Sequence, residues 1–138
     1  IDRQARRALD LRRLPAHVRL LGSADPSEAM RRYRVIFGSG LVALEAMAQG
    51  RLLMAGHGRA AAPRPEGMAA FSASKFTEGP PETEGRSLAE VGEEIRWLLA
   101  EPHLELRRFY REYVEQYHNA RQQAARVREV YEEALASR

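Results

Sequence analysis

The chain predicts an α/β fold, a short parallel sheet flanked by helices and followed by a helical C-terminus. Two observations carry this. Residues 35 to 54, VIFGSGLVALEAMAQGRLLM, hold an apolar run, a Gly-Ser-Gly turn, an amphipathic segment ending at Gly50 and a second apolar run. That is the order of a strand-turn-helix-strand unit, in which backbone N-H groups at the helix N-terminus can hold an anion. From Ser87 onward, capping residues and apolar periodicity mark successive helices.

The elements follow in order. Residues 2 to 13, DRQARRALDLRR, read as a basic helix, and His17 to Leu21 as a strand ending at Gly22. Asp25, Pro26 and Glu28 start a short helix to about Arg32, as a cap, a proline at the first helical position and a glutamate three residues after the cap. Val35, Ile36 and Phe37 are β-branched or aromatic and too few for a helix, so they read as a strand buried on both faces. Gly38 and Gly40 let the chain turn sharply and approach a ligand with bare backbone, and Ser39 can cap. Leu41, Leu44, Met47 and Ala48 then form one helical stripe, with Gly50 where a left-handed cap belongs. Glu45 lies off that stripe, about a turn into the helix, where a carboxylate can accept hydrogen bonds from sugar hydroxyls; the alternative is a solvated surface glutamate. Leu52 to Met54 is the next strand.

Between Gly56 and Gly85 the pattern breaks down, with five Gly and four Pro in thirty residues. A long loop is expected, with one short helix or strand near Met68 to Phe76; loops of this length are usually functional or mobile. His57, Gly58 and Arg59 follow the strand at the sheet edge where ligands of open α/β sheets bind. Arg59 is therefore a candidate for a diphosphate, and so are Arg64 and Lys75, against the alternative of a solvated basic loop. No carboxylate partner is apparent that would tune His57 as an acid or base. Ser87 with Glu90 forms a capping box, and Val91, Ile95, Leu98 and Leu99 face a core up to Ala100. Pro102 breaks the helix. Leu104 to about Tyr117 and Ala120 to Ala136 follow, with Asn119 as a cap and Ala124, Val127, Tyr131 and Leu135 along one side of the last. Tyr110, Tyr113, Tyr117 and Tyr131 at helical spacing read as packing residues before they read as a platform for bases.

FGSGLVALEAMAQG resembles the donor-binding segment of GT-B glycosyltransferases of the family-4 type, whose C-terminal domain carries a Glu-x7-Glu pattern of the form EGFGLVALEAMAxG. The correspondence runs through Gly38, Gly40, Leu41, Val42, Ala43, Leu44, Glu45, Ala46, Met47, Ala48 and Gly50. The resemblance implies a Rossmann-like partial GT-B C-terminal domain over residues 1–138, with 87–138 as its helical C-terminal segment. It implies that the amides of Gly38, Ser39, Gly40, Leu41 and Val42 face the diphosphate of a nucleotide-sugar donor, that Glu45 holds the ribose, and that Ser23 and Ala24 lie near the base. The last helix would return toward the other domain. The first glutamate of the pattern falls at Phe37, which cannot accept a hydrogen bond from a sugar hydroxyl.

Length and charge bound the expectation. At 138 residues the chain supports one domain. At most four apolar strands are legible, too few for a six-stranded donor domain, so the chain is expected to be a fragment, inactive alone, with the acceptor-binding domain missing or on another chain. The acceptor class, whether sugar, lipid or protein, is not legible. Net charge is +3, with arginine outnumbering lysine 21 to 1, and alternating charges as in RRFYREYVEQ read as a solvated face and not as a nucleic-acid groove. There is no Cys, and the four His, at 17, 57, 103 and 118, lack metal-ligand spacing, so neither a metal nor a cofactor besides the donor substrate is expected. No apolar stretch approaches the roughly 20 residues of a membrane span and no signal peptide is visible, so the cytoplasm is the expected compartment. The resemblance leaves room for contact with an anionic membrane surface, since family members glycosylate lipids. Against this enzyme stands a second class, a non-catalytic nucleotide-binding or protein-interaction module of the same ancestry.

Overall fold

The computed structural model describes residues 25–56 and 60–136. The helix expected at 2 to 13, the strand at 17 to 21, and the positions of Ser23, Ala24, His57 and Arg59 lie outside them.

Helix α1, Pro26–Met30, opens on Asp25, whose carboxylate accepts the Ser27 N-H (2.9 Å). Glu28 does not complete a capping box; it turns outward to Arg32 at 2.9 Å. Strand β1, Val35–Gly38, and strand β2, Leu52–Ala55, pair in parallel with Val35 opposite Leu52 and Gly38 opposite Ala55. Helix α2, Gly40–Ala48, connects them. It ends as expected at Gly50 in the left-handed region (φ +61°), with Arg51 N-H donating to the Ala46 carbonyl and Gly50 N-H to that of Met47. This is the paired-hydrogen-bond cap that closes helices at a glycine.

All four side chains of β2 are buried, and because successive strand residues point to opposite faces they feed two cores. Leu53 and Ala55, with Ile36, face Ala43, Ala46 and Met47 of α2, together with Phe71 and Tyr110 from later helices. Leu52 and Met54, with Val35, face Val91, Ile95 and Leu98. The sheet is therefore covered by helices on both faces. β1 is less enclosed than its composition predicts: Phe37 is 55% exposed, and among the described residues β1 has a neighbouring strand on one side only.

The glycine- and proline-rich middle is not a loose loop. Ala61 exchanges both backbone hydrogen bonds with Ala55 (2.8 and 3.0 Å), so residues 60 to 63 run antiparallel beside β2 and are buried. The alanines succeed there because small side chains fit where helices crowd both faces. Helix α3, Met68–Ala73, follows a short 3-10 turn and places Met68 and Phe71 in the core, and Phe76 follows them.

Helix α4, Leu88–Ala100, carries the expected capping box, with the Glu90 carboxylate accepting the Ser87 N-H at 2.7 Å and the Ser87 hydroxyl accepting the Glu90 N-H at 3.3 Å. Helix α5, Leu104–Tyr117, packs on α2 through Leu106, Phe109, Tyr110 and Tyr113. Helix α6, Ala120–Ala136, is capped by Asn119, whose side-chain oxygen accepts the Arg121 N-H at 3.0 Å. Its expected stripe has no partner among the described residues: no α6 residue is buried, and Val127, Tyr131 and Leu135 are each more than half exposed. Of the four tyrosines, Tyr110 is fully buried and Tyr113 packs against Phe76 and Phe109, whereas Tyr117 and Tyr131 are exposed. Among the described residues no helix is long and apolar enough to cross a membrane.

Glu94 on α4 ties the middle segment to the helices. Its carboxylate lies 2.6 Å from Arg86 and 3.7 Å from Arg64 and accepts the Ala62 N-H at 3.3 Å. The neighbouring Tyr110 hydroxyl is buried without a partner among the described residues, and burial, reinforced by the Glu94 charge, pushes its pKa up.

Glu94→Ala leaves Arg86 enclosed without its counter-charge and should lower stability by about 3 kcal/mol, read as a shift in urea midpoint. The Ser87 amide, then its hydroxyl, hold the Glu90 carboxyl below its ordinary value of 4.5. Its contribution is then complete above that value and is lost as pH falls through the depressed folded pKa. Thermal melts of Glu90→Gln should show lower stability than the parent at neutral pH, with the difference closing on acidification.

Candidate functional site

The expected anion-binding turn lies where β1 meets α2, at the C-terminal edge of the parallel strands. Gly38 is required sterically: a Cβ there would meet Val42 Cγ1 at 2.6 Å, and a β-branched side chain in a helix has little rotamer freedom to yield. Gly40 is required conformationally, at φ +53°, in open space. Ser39 occupies the N-cap position but makes no side-chain cap hydrogen bond, contrary to expectation. With Gly40 left-handed, the geometry that brings a cap hydroxyl to the next amides is not met.

Contrary to expectation, not every amide from Gly38 to Val42 faces a ligand. The Gly40 N-H donates to the Lys75 carbonyl at 3.0 Å. Gly40 thus shapes the turn while its donor is used inside the protein, leaving Leu41 and Val42 to supply the first-turn amides that no helical carbonyl reaches.

The stripe on α2 is also displaced from the one periodicity suggests. Ala43, Ala46 and Met47 are buried, while Leu41 is 71% and Val42 40% exposed and Ala48 is exposed. Packed against the sheet on one side and α5 on the other, α2 buries its small residues, and Leu41 projects beyond the sheet edge. Glu45, one turn from Leu41, is half-buried, and its carboxylate has no hydrogen bond or ion pair among the described residues. Leu41, Val42, Glu45 and the exposed Phe37 thus cluster around the turn.

The basic candidates separate. Arg64 lies away from the turn, its guanidinium 4.5 Å over the Trp97 ring and 3.7 Å from Glu94. Lys75 comes to the turn through its backbone, with its side chain exposed. Phe76 N-H donates to the Phe71 carbonyl at 2.7 Å and Lys75 N-H to that of Ser72 at 2.9 Å, the same cap as at Gly50, with Phe71 and Phe76 stacked at 6.4 Å. Here the left-handed residues are Lys75 (φ +55°) and Phe76 (φ +61°). No glycine announces this cap, so sequence reasoning had no signal for it.

Among the described residues no group of three or more His, Cys, Asp or Glu could hold a metal ion. Compared with known proteins, the chain matches no protein family, no curated protein and no solved structure.

Lys75→Gly should relieve backbone strain while keeping the carbonyl that holds Gly40, stabilising the fold by about 0.5–1 kcal/mol. Gly38→Ala should instead destabilise by about 1–3 kcal/mol through overpacking on Val42. Chemical denaturation of the two variants beside the parent checks both signs.

Proposed function

We propose that the chain is the donor-binding part of a nucleotide-sugar glycosyltransferase of the GT-B type. A diphosphate rests on the amides of Leu41 and Val42, and the ribose hydroxyls donate to Glu45. The observation that carries this reading is Glu45 itself. It is a half-buried carboxylate, unpartnered among the described residues, one turn into a helix that opens from a glycine turn at the C-terminal edge of a parallel sheet. Ligands of open α/β sheets bind at that edge, and a helix N-terminus favours phosphate. The resemblance of residues 38 to 50 to the family-4 donor segment supports the same roles. The acceptor and the catalytic base belong to a partner domain, and the exposed stripe of Val127, Tyr131 and Leu135 is a surface such a domain could cover.

One observation favours a second reading. Phe37, Leu41 and Val42 present apolar surface at the turn, where the family pattern has a glutamate in the place of Phe37. A module that docks another protein through this edge would carry such residues.

Calorimetric titration with UDP, GDP and ADP and their sugar conjugates separates the two. Saturable binding of one nucleotide, weakened about tenfold or more in Glu45→Ala, supports the donor site, since a hydrogen bond to a charged group contributes about 1.5–3 kcal/mol. Binding unchanged in Glu45→Ala removes that residue from the site. Absence of binding both here and in a longer parent protein favours the docking module.

A further inference from the structure

At the opposite edge of the sheet, a cavity of about 370 Å³ opens among Arg34, Arg51, Leu52, Ala100, Pro102 and Arg107. Arg34 and Arg51 immediately precede β1 and β2, so both stand at the N-terminal ends of the parallel strands. Arg107 reaches the same place from the first turn of α5. Four-residue strands separate this edge from the Gly38–Val42 turn by about 13 Å.

Three guanidinium groups therefore share one concavity, and none of the residues lining it is acidic. Among the described residues none of the three has a carboxylate within ion-pair distance; the carboxylates that pair with arginine elsewhere hold Arg32, Arg64, Arg86, Arg96, Arg108 and Arg128. Two of the three are held by backbone carbonyls. An Arg34 Nη donates to the Glu101 carbonyl at 2.7 Å, and Arg107 Nε to the Gly50 carbonyl at 2.6 Å. Positioning by neutral carbonyls fixes the side chains and, among the described residues, leaves their charge uncompensated. Each guanidinium has five N-H donors, so most remain for a ligand.

Arg51 adds the third charge, and its Nε is buried without a hydrogen-bond partner among the described residues. Like charges gathered in one cavity repel until an anion enters. Guanidinium groups match the tetrahedral oxygens of phosphate with paired hydrogen bonds.

We infer that this cavity is a second anion site, binding the phosphate group of a small phosphomonoester or inorganic phosphate between Arg34, Arg51 and Arg107. It is distinct from the Glu45 edge and does not depend on how that edge is used. Gly50 belongs to its frame, since its left-handed turn presents the carbonyl that orients Arg107, and a Cβ there would meet Arg111 Nε at 2.7 Å.

Inorganic phosphate and a hexose 6-phosphate, titrated calorimetrically into the chain at low ionic strength, test the site. Saturable binding of either is expected, weakened at least tenfold in Arg51→Gln and in Arg34→Gln, with both variants melting no lower than a few degrees below the parent. No saturable binding, or equal binding by Arg51→Gln, overturns the proposal. Weakening confined to Arg51→Gln, with Arg34→Gln binding as the parent does, also overturns it, because the site is built from both arginines. Sedimentation with phosphatidate vesicles distinguishes the source of the phosphate: vesicle binding displaced by free phosphate and lost in Arg51→Gln assigns the cavity to a lipid headgroup of the same chemistry. Vesicle binding indifferent to both counts against the cavity.

Discussion

Leu52 to Ala55 are buried on both faces of a parallel sheet, and the arrangement of the remaining described elements answers to that burial. A strand with no solvent side must be covered twice. Leu53 and Ala55 draw α2, α3 and α5 to one face, and Leu52 and Met54 draw α4 to the other. Each large apolar side chain so enclosed contributes about 1.5–3 kcal/mol. The antiparallel run of Ala60 to Ala62 continues the same alternation, feeding Ala61 to the first core and Ala60 and Ala62 to the second. Its backbone polar groups still need partners, and one of them, the Ala62 N-H, finds its acceptor in Glu94, which in turn holds Arg86 and Arg64.

The doubly covered sheet also fixes what its two edges can do. At the C-terminal edge the chain leaves β1 through Gly38 and enters α2 through a left-handed Gly40, so first-turn amides and Glu45 are presented together. At the N-terminal edge the residues just before β1 and β2 are arginines, brought beside a third from α5. Both edges depend on helix-ending turns from other parts of the chain. The Lys75 carbonyl restrains the Gly40 turn, and the Gly50 carbonyl restrains Arg107. The first of these turns holds two non-glycine residues at positive φ, a conformation costing roughly 1–2 kcal/mol per residue. The burial of Phe76 against Phe71 and Tyr113 offsets it.

Legibility in the sequence followed the range of the interaction. Local devices were readable: the Asp25 and Asn119 caps, the Ser87 and Glu90 box, the glycine at the end of α2 and the break at Pro102 each rest on residues within a few positions of one another. The burial of Phe37, the facing of Leu41 and the compactness of residues 60 to 76 were misread, because each depends on what a distant segment covers or leaves bare.

For the candidate site, the sequence by itself determined the turn, the helix and the position of Glu45 on it, since glycine placement and helical period are properties of adjacent residues. Tertiary structure decided which donors remain there. It took the Gly40 amide for Lys75, removed Arg64 to Trp97 and Glu94, and left Glu45 without a partner among the described residues. It also gathered Arg34, Arg51 and Arg107 from three separate segments around one cavity. No spacing rule could announce that convergence, because it comes from packing α5 across the ends of two strands.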